Sequence, residues 1–236
     1  MQSTDRDLSI GGPAHCPAEF FPALDALAFL RAAFIQRCPE IDVVTDRGTA
    51  LARLGSVHRA TADTLGFSGI PFVAAEQVHG SLVARADTAE TAPIPGADGL
   101  ITNRPGLCLA IYVADCAAVY LADRQARAIG LLHAGKKGAE LGIVPRAIAK
   151  MREAFGSDPS EIVMQISPCI RPPNYEIDFA AELLRQAREA GVRDVFDCGI
   201  CTASSPQKYY SYRREKGRTG RLLALAAIVQ GPYGAS

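Results

Sequence analysis

The chain has no tryptophan, only four histidines, and no excess of charge of either sign, because 25 basic residues balance 25 acidic ones. Balanced charge argues against the basic surplus of a nucleic-acid-binding protein and the acidic tail of a disordered segment. Long apolar runs are also missing, and none approaches the roughly 20 residues that a helix needs to cross a bilayer. We therefore expect neither a nucleic acid nor a membrane as partner. The oligomeric state stays open.

Cysteine is too sparse for a disulfide scaffold, since seven cysteines are scattered over 236 residues and their number is odd. The N-terminal segment is polar and shows no apolar core of a signal peptide. These features predict free thiols and a reducing, cytoplasmic setting. Cys198 and Cys201 form a CxxC pair without a second pair of metal ligands, so we expect two buried or partly buried thiols.

Hydrophobic residues make up 48% of the chain, which is enough for one domain of this length. Apolar spacing predicts helices over residues 20–37, 50–65, 138–155 and 179–190. It predicts strands over residues 71–78, 99–102, 107–113, 117–122, 128–132, 161–166 and 192–196, with a short helix or strand at 221–229. Because strands and helices do not alternate strictly, the predicted class is α/β (mixed α+β), a layered sandwich with a mixed central sheet flanked by helices. We expect a flexible tail over residues 1–18 and a single catalytic domain over 19–236.

The chemically most informative residues are His79, Cys116 and His133, which lie at or beside predicted strand ends. Two imidazoles and one thiolate suit a catalytic zinc, which has three protein ligands and a fourth position for water or substrate. The same donors would also accept copper. Taken one at a time, the histidines are compatible with capping or core roles, and Cys116 with a small buried apolar residue.

Several short segments occur in one order along the chain and together resemble a known family. They are Gln77-Val78-His79-Gly80, Ala97-Asp98-Gly99-Leu100-Ile101-Thr102, Ala114-Asp115-Cys116, His133-Ala134-Gly135, Tyr175-Glu176-Ile177 and Ser211-Tyr212-Arg213-Arg214. The family is that of the multicopper polyphenol oxidase or laccase-domain proteins of purine nucleoside phosphorylase type. The resemblance covers residues 72–223.

The resemblance implies that His79, Cys116 and His133 bind the metal of an enzyme acting on purine nucleosides. The implied reactions are phosphorolysis of adenosine, inosine and methylthioadenosine, and deamination of adenosine. Asp115 either takes part in catalysis, by orienting a ligand or accepting a proton, or is a hydrogen-bonded carboxylate at a strand end. A centre with several copper ions needs more histidines than the four present.

Predicted contacts to substrate or phosphate are Gln77, Lys137, Gly138 and Arg213. The lysine and arginine side chains supply positive charge, and Gly138, near a predicted helix start, supplies backbone N–H groups. For Lys136, Lys137, Arg213, Arg214 and Arg218, a solvated basic surface is the alternative interpretation. Glu176 either lines the site or has a structural role.

The chain departs from the family pattern at three places. Lys136-Lys137 replaces Trp-Arg after the His-Ala-Gly motif, and Lys137 lacks the planar fork that binds phosphate in a bidentate manner. Ser167 stands in place of a glycine before Pro168. Thr45-Asp46-Arg47-Gly48 stands where the family has Thr-Arg-x-Gly-Gly.

Our leading hypothesis is therefore a zinc-dependent purine nucleoside enzyme. One alternative is a hydrolase in which Cys116 is the nucleophile and His79 or His133 the base. Another is a catalytically weakened protein that binds metal or nucleotide, with Lys136-Lys137 as the mark of lost catalysis. A copper-binding polyphenol oxidase is the remaining alternative.

Overall fold

The computed structural model describes residues 15–229 and, for the backbone only, residues 4–6. Residues 1–3 and 7–14 of the predicted tail lie outside the described part. Within the tail, Thr4–Arg6 pairs antiparallel with Ala18–Phe20, and Cys16 is buried. Residues 4–6 and Ala18 of the segment 1–18 therefore belong to a sheet.

Within these residues the α-helices are α1 (Pro22–Asp25), α2 (Arg47–Ala62), α3 (Lys136–Glu140), α4 (Ile143–Phe155) and α5 (Phe179–Glu189), with a π-helical turn at Asp63–Phe67 and short 3-10 helices at Pro159–Glu161 and Thr202–Ser204. The strands are β1 (Thr4–Arg6), β2 (Ala18–Phe20), β3 (Leu30–Ile35), β4 (Phe72–Ala74), β5 (Val83–Arg85), β6 (Gly99–Thr102), β7 (Cys108–Val113), β8 (Ala117–Asp123), β9 (Ala128–Ala134), β10 (Ile162–Ile166), β11 (Asp194–Asp197) and β12 (Leu222–Ile228).

The predicted mixed α/β class is confirmed, although the strands form two sheets instead of one central sheet. The first sheet has the order β1-β2-β3-β12-β7-β4, and the second has the order β11-β10-β8-β9-β6-β5. Both are mixed, because β4 runs parallel to β7 in the first, and β5 and β11 run parallel to their neighbours at the edges of the second.

The second sheet separates two hydrophobic cores, and strand β8 shows how. Its residues Ala118 and Tyr120 face the core shared with the first sheet, whereas Val119 and Leu121 face the core shared with α4 and α5. Alternate residues of a strand point to opposite faces, so a strand buried on both faces is a continuous apolar run. The Tyr120 hydroxyl also donates to the Ala33 carbonyl at 2.8 Å, which connects the two sheets.

The helix predicted over residues 20–37 is wrong. Only the four residues of α1 are helical there, and β3 lies between β2 and β12 in the first sheet. Every residue of β3 except Arg31 is buried. A segment buried on both faces contains apolar residues at helical spacing as well as at alternating spacing. The spacing of its apolar residues therefore does not distinguish a helix from a strand.

Most other elements match the predictions within a few residues, with two refinements. The helix expected over 138–155 is divided into α3 and α4 by Gly142, which has a φ of 70°. The segment at 221–229, left open between helix and strand, is β12. None of the helices in 15–229 has the length and apolar character required to cross a bilayer.

The expectation that all cysteines are free is wrong for two of them, because Cys16 and Cys38 form a disulfide. Both are buried and close together, although 22 residues separate them in sequence. Five cysteines are free: Cys108, Cys116, Cys169, Cys198 and Cys201. Cys198 and Cys201 are partly buried free thiols, as predicted.

Candidate active site

The three predicted metal ligands converge on one point. His79 lies in the loop after β4, Cys116 in the turn between β7 and β8, and His133 near the end of β9. Strands β8 and β9 pair so that Ala118 is opposite His133, which brings the thiol and this imidazole together. One ligand atom from each of the three residues lies within 4.8 Å of the others. This group could hold a metal ion.

Backbone geometry around the site is unusual for residues other than glycine. Gln77, His79 and Asp115 have φ angles of 64°, 61° and 83°. A left-handed backbone in such residues costs on the order of 1 kcal/mol or more and persists only where the surroundings enforce it. Strained backbone concentrated beside the metal-ligand group is typical of a functional site.

Asp98, which was not among the predicted site residues, connects the two histidines. Its carboxylate accepts backbone N–H groups from Val78, His79 and Gly80 at 3.2, 2.9 and 2.6 Å. The same carboxylate lies 2.8 Å from Nδ1 of His133. Burial raises the pKa of Asp98, but the hydrogen bonds with His133 and the loop outweigh it and hold that pKa below its usual range. Nδ1 of His133 therefore donates to a carboxylate, which leaves Nε2 for the site.

The thiol and the imidazole of the cluster shift each other's ionisation. Burial raises the pKa of the Cys116 thiol, but His133 and His79 outweigh it and lower that pKa to about 6. Burial lowers the pKa of His133, whereas the Cys116 thiolate and Asp98 raise it to about 9. Cys116 is therefore a thiolate at neutral pH, the form required both of a metal ligand and of a nucleophile.

The donor set fits a zinc ion. In a tetrahedral site with Zn–N near 2.0 Å and Zn–S near 2.3 Å, neighbouring ligand atoms lie about 3.5 Å apart. The group within 4.8 Å needs only a small contraction to reach that spacing. Because the cluster lines an open cavity, a zinc ion held by these three residues would be accessible to water or substrate, as in catalytic zinc sites.

The cavity has a volume of about 730 Å³ and combines positive charge with aromatic rings. Its cationic side chains are Arg47, Lys136, Lys137, Arg213 and Arg221. Besides the two imidazoles of the cluster, its aromatic rings are Tyr112, Tyr175, Phe179 and Tyr212. Among the lining residues, Asp115 is the one carboxylate, and its two oxygens accept the Thr202 hydroxyl and the backbone N–H of Arg213 at 2.7 Å each. The cavity therefore favours a ligand with negative charge and a flat ring.

Comparison with known proteins places the chain in a family. A family model described as multi-copper polyphenol oxidoreductase laccase matches residues 42–183 and 177–229, well over half of the chain. The chain belongs to this family. A purine nucleoside phosphorylase of Corynebacterium glutamicum is 35% identical to it over 208 residues, covering 76% of this chain and 82% of that protein. A purine nucleoside phosphorylase of Deinococcus radiodurans is 35% identical over 196 residues, covering 71% and 74%.

Two solved structures have the same fold as this member of the laccase family. YlmD from Geobacillus stearothermophilus has a TM-score of 0.78 at 24% identity, covering 95% of this chain and all (100%) of that chain. The hypothetical protein YfiH of Bacillus licheniformis has a TM-score of 0.79 at 20% identity, covering 93% and 98%. The overall fold of this chain is thus shared with both structures.

Of the predicted contacts in this laccase-family cavity, Lys137 and Arg213 line it, with exposed side chains. Gln77 also lines it, but its amide nitrogen donates to the Tyr112 carbonyl at 2.6 Å and its amide oxygen accepts the Tyr112 N–H at 3.0 Å. Gln77 therefore holds the strained loop against β7. Gly138 is buried and is not among the lining residues.

Other candidates from the sequence lie elsewhere. Arg214 donates to the Ala203 carbonyl, and Arg218 donates to the Val44 carbonyl. Glu176 forms an ion pair with Arg213 at 3.3 Å instead of lining the cavity. Sequence reasoning missed Arg221 altogether. In the sequence, Arg221 is recognisable only as a single basic residue that precedes the apolar run of β12.

We predict that Gly135→Ala weakens zinc binding at least about tenfold, since displaced ligands bind metal poorly. A Cβ at this position would lie 2.6 Å from the Cys116 Sγ atom, so the thiolate would have to move. The matched control is Gly55→Ala in α2, where a Cβ meets nothing within 4 Å. Competition for zinc with a chromogenic chelator measures the effect, and equal affinities of Gly135→Ala and the parent would contradict it.

Proposed function

We propose that this chain is a zinc-dependent enzyme that cleaves purine nucleosides by phosphorolysis. The observation that carries the proposal is a single cavity that combines a His/Cys/His cluster, a cationic wall and several aromatic rings. Relatives at 35% identity that bear the name purine nucleoside phosphorylase support the same reaction class.

His79, Cys116 and His133 would hold the zinc ion. When bound, zinc supplies a Lewis acid that polarises a substrate oxygen or activates a water. Two histidines and one cysteine also accept copper, so the metal is part of the proposal. No further group able to hold a metal occurs within residues 15–229, which favours a mononuclear centre over multi-copper chemistry.

The chain's own groups account for substrate binding. The rings of Tyr112, Tyr175 and Tyr212 line the cavity and offer stacking surfaces for a purine. Lys137 and Arg213 stand on the cavity wall and attract phosphate. In the reaction, a phosphate oxygen forms a bond to the anomeric carbon of the ribose while the bond from that carbon to the purine nitrogen breaks. The purine then takes up one proton, and ribose 1-phosphate remains.

The remaining predicted site residues have positioning roles in this proposal. The side chains of Gln77 and Asp115 each form two hydrogen bonds within the protein, and both residues have a left-handed backbone within two residues of a proposed metal ligand. Gly138 is buried in α3 beside the carbonyl oxygens of Gly80 and His133, from which a Cβ there would lie 3.5 Å, an ordinary contact distance. Asp115 therefore holds the loop of Arg213 instead of accepting a proton from substrate.

The functional unit of the proposal is one catalytic domain, within residues 19–236. The cavity takes its lining from Arg47 near one end of the described chain to Arg221 near the other, across both sheets. We place the enzyme in the cytoplasm because five of its cysteines are free thiols and only Cys16 and Cys38 form a disulfide. Its partners are a purine nucleoside and phosphate.

A nucleoside panel tests the proposal. We expect zinc-loaded protein to release purine from adenosine, inosine and methylthioadenosine only when phosphate is present, as chromatography of the products would show. Conversion of adenosine to inosine in the same samples reports deamination.

Arg213→Ala should raise the KM for phosphate about threefold to tenfold, because an exposed charge is screened by solvent. Arg188→Ala on the outer face of α5 is the matched control.

Inactivity of the zinc-loaded parent on all three nucleosides would overturn the proposal. A cysteine hydrolase is the second candidate, favoured by the thiolate of Cys116 beside His133. A catalytically weakened enzyme is a third candidate. The variant carrying Lys136→Trp and Lys137→Arg distinguishes it from a fully active zinc-dependent phosphorylase. A large gain of turnover in that variant would favour weakened catalysis, whereas unchanged turnover would count against it.

A further inference from the structure

Arg221 is a buried cation without a carboxylate partner. Its side chain lines the cavity, only 8% of the residue is exposed, and no carboxylate within residues 15–229 forms an ion pair with it. One terminal nitrogen donates to the carbonyls of Thr219 and Gly220, at 3.0 and 2.9 Å. No acceptor within residues 15–229 receives a hydrogen bond from the remaining donors of the guanidinium. Buried charges in folded proteins are normally paired, so an unpaired one inside a cavity indicates an anionic ligand.

Strand register places Arg221 beside the metal-ligand group. Leu222 is opposite Val113 in the pairing of β12 with β7. Arg221 precedes the first of these residues and Ala114 follows the second, so Arg221 lies next to the turn that carries Cys116. An anion bound there would be adjacent to the proposed metal position.

Arg47 adds a second guanidinium to the same wall. It is the exposed first residue of α2, and its side chain donates to the Glu76 carbonyl at 3.4 Å, in the loop that carries His79. Burial and repulsion from Arg47 lower the pKa of Arg221 by more than the negative charges of Cys116, Tyr212 and Asp115 raise it, so the two cations are close enough to disfavour each other. No carboxylate within the described residues pairs with Arg47 either.

The other cations of the cavity are weaker candidates for a primary anion contact. Arg213 already pairs with Glu176 and lies over the Tyr175 ring at 4.8 Å, whereas Arg47 has neither contact within the described residues. Lys136 lies 4.0 Å from Glu140. Lys137 is an exposed point charge without the planar fork that matches a phosphate.

We propose that Arg47 and Arg221 form the anion subsite of this cavity and bind inorganic phosphate between their two guanidinium forks. Bidentate contacts from guanidinium to phosphate are charge-assisted and fix the anion's orientation. Lys137 and Arg213 then act at the rim, where they attract the anion without fixing it. This inference rests on the proposed function in one respect, namely that the bound phosphate is the co-substrate. Binding of phosphate to the two arginines does not itself require a nucleoside.

Calorimetric titration of the metal-loaded protein with inorganic phosphate, without nucleoside, tests the subsite. We expect Arg47→Ala and Arg221→Lys each to weaken phosphate binding about tenfold, since each loses one charge-assisted fork. Arg221→Lys keeps the charge of a buried position, and its melting temperature checks that the fold is retained. Arg188→Ala is the matched control and should bind as the parent does.

The possible outcomes separate this inference from the proposed function. Parent-like phosphate binding by both variants would overturn the subsite, as would no binding by the parent at millimolar phosphate. It would also be overturned if Lys137→Ala and Arg213→Ala abolished binding while Arg47→Ala and Arg221→Lys did not. Phosphate binding that depends on Arg47 and Arg221, without turnover of any nucleoside, would support the subsite and refute phosphorolysis.

Discussion

Cys116→Ala should purify with little or no zinc and with nucleoside turnover reduced at least about a hundredfold, because removing one of three protein ligands leaves only two. The thiolate lies among His79 and His133, and no other thiol belongs to that group. Elemental analysis gives the metal content, and phosphate-dependent release of purine gives the activity.

The matched control is Cys201→Ser, which alters another free and partly buried cysteine outside the cavity. It should keep its zinc and its turnover. Loss of turnover in Cys116→Ala with zinc content unchanged would identify Cys116 as a nucleophile instead of a ligand. Alkylation provides an independent measurement, since a zinc-bound thiolate reacts with iodoacetamide only after chelation, whereas a nucleophilic one reacts at once.

Asp98→Asn should lower zinc affinity by about 10-fold to 100-fold, the usual effect of losing a carboxylate that orients a histidine ligand. The amide nitrogen of asparagine would face N–H groups of Val78 and Gly80, which the carboxylate now accepts. The orientation of His133 and the position of the His79 loop would then both be affected. The free energy of unfolding of the metal-free protein should also fall by about 3 kcal/mol, because several N–H groups lose a charged acceptor.

Asp123→Asn is a suitable control for this effect. Asp123 is also fully buried, and its carboxylate accepts backbone N–H groups of Gln125 and Ala126 at the far end of β8. It should lose stability on urea unfolding without any change in zinc affinity. If Asp98→Asn bound zinc as tightly as the parent, the carboxylate would have no role in orienting the histidines.

Short-range features of the fold were accessible from the sequence. The near-continuous apolar stretch through β7 and β8 predicted buried strands, and the spacing in α5 predicted a helix that ends before Gly191. The segment of β3 was not accessible, because burial on both faces removes the alternation that distinguishes a strand. Its place between β2 and β12 depends on pairing with residues far away in the chain.

Local context alone was enough to nominate His79, Cys116 and His133, since the type of donor atom is a property of the residue. Their convergence, the carboxylate of Asp98 between the histidines, and the unpaired guanidinium of Arg221 depend on the tertiary structure. The sequence specifies which chemical groups a chain carries. Strand register determines which of these groups lie close together and which of their donors and acceptors already form hydrogen bonds. For the same reason, it took the structure to show that the side chains of Gln77 and Asp115 already form hydrogen bonds within the protein, whereas within residues 15–229 the Arg221 guanidinium donates through one terminal nitrogen alone.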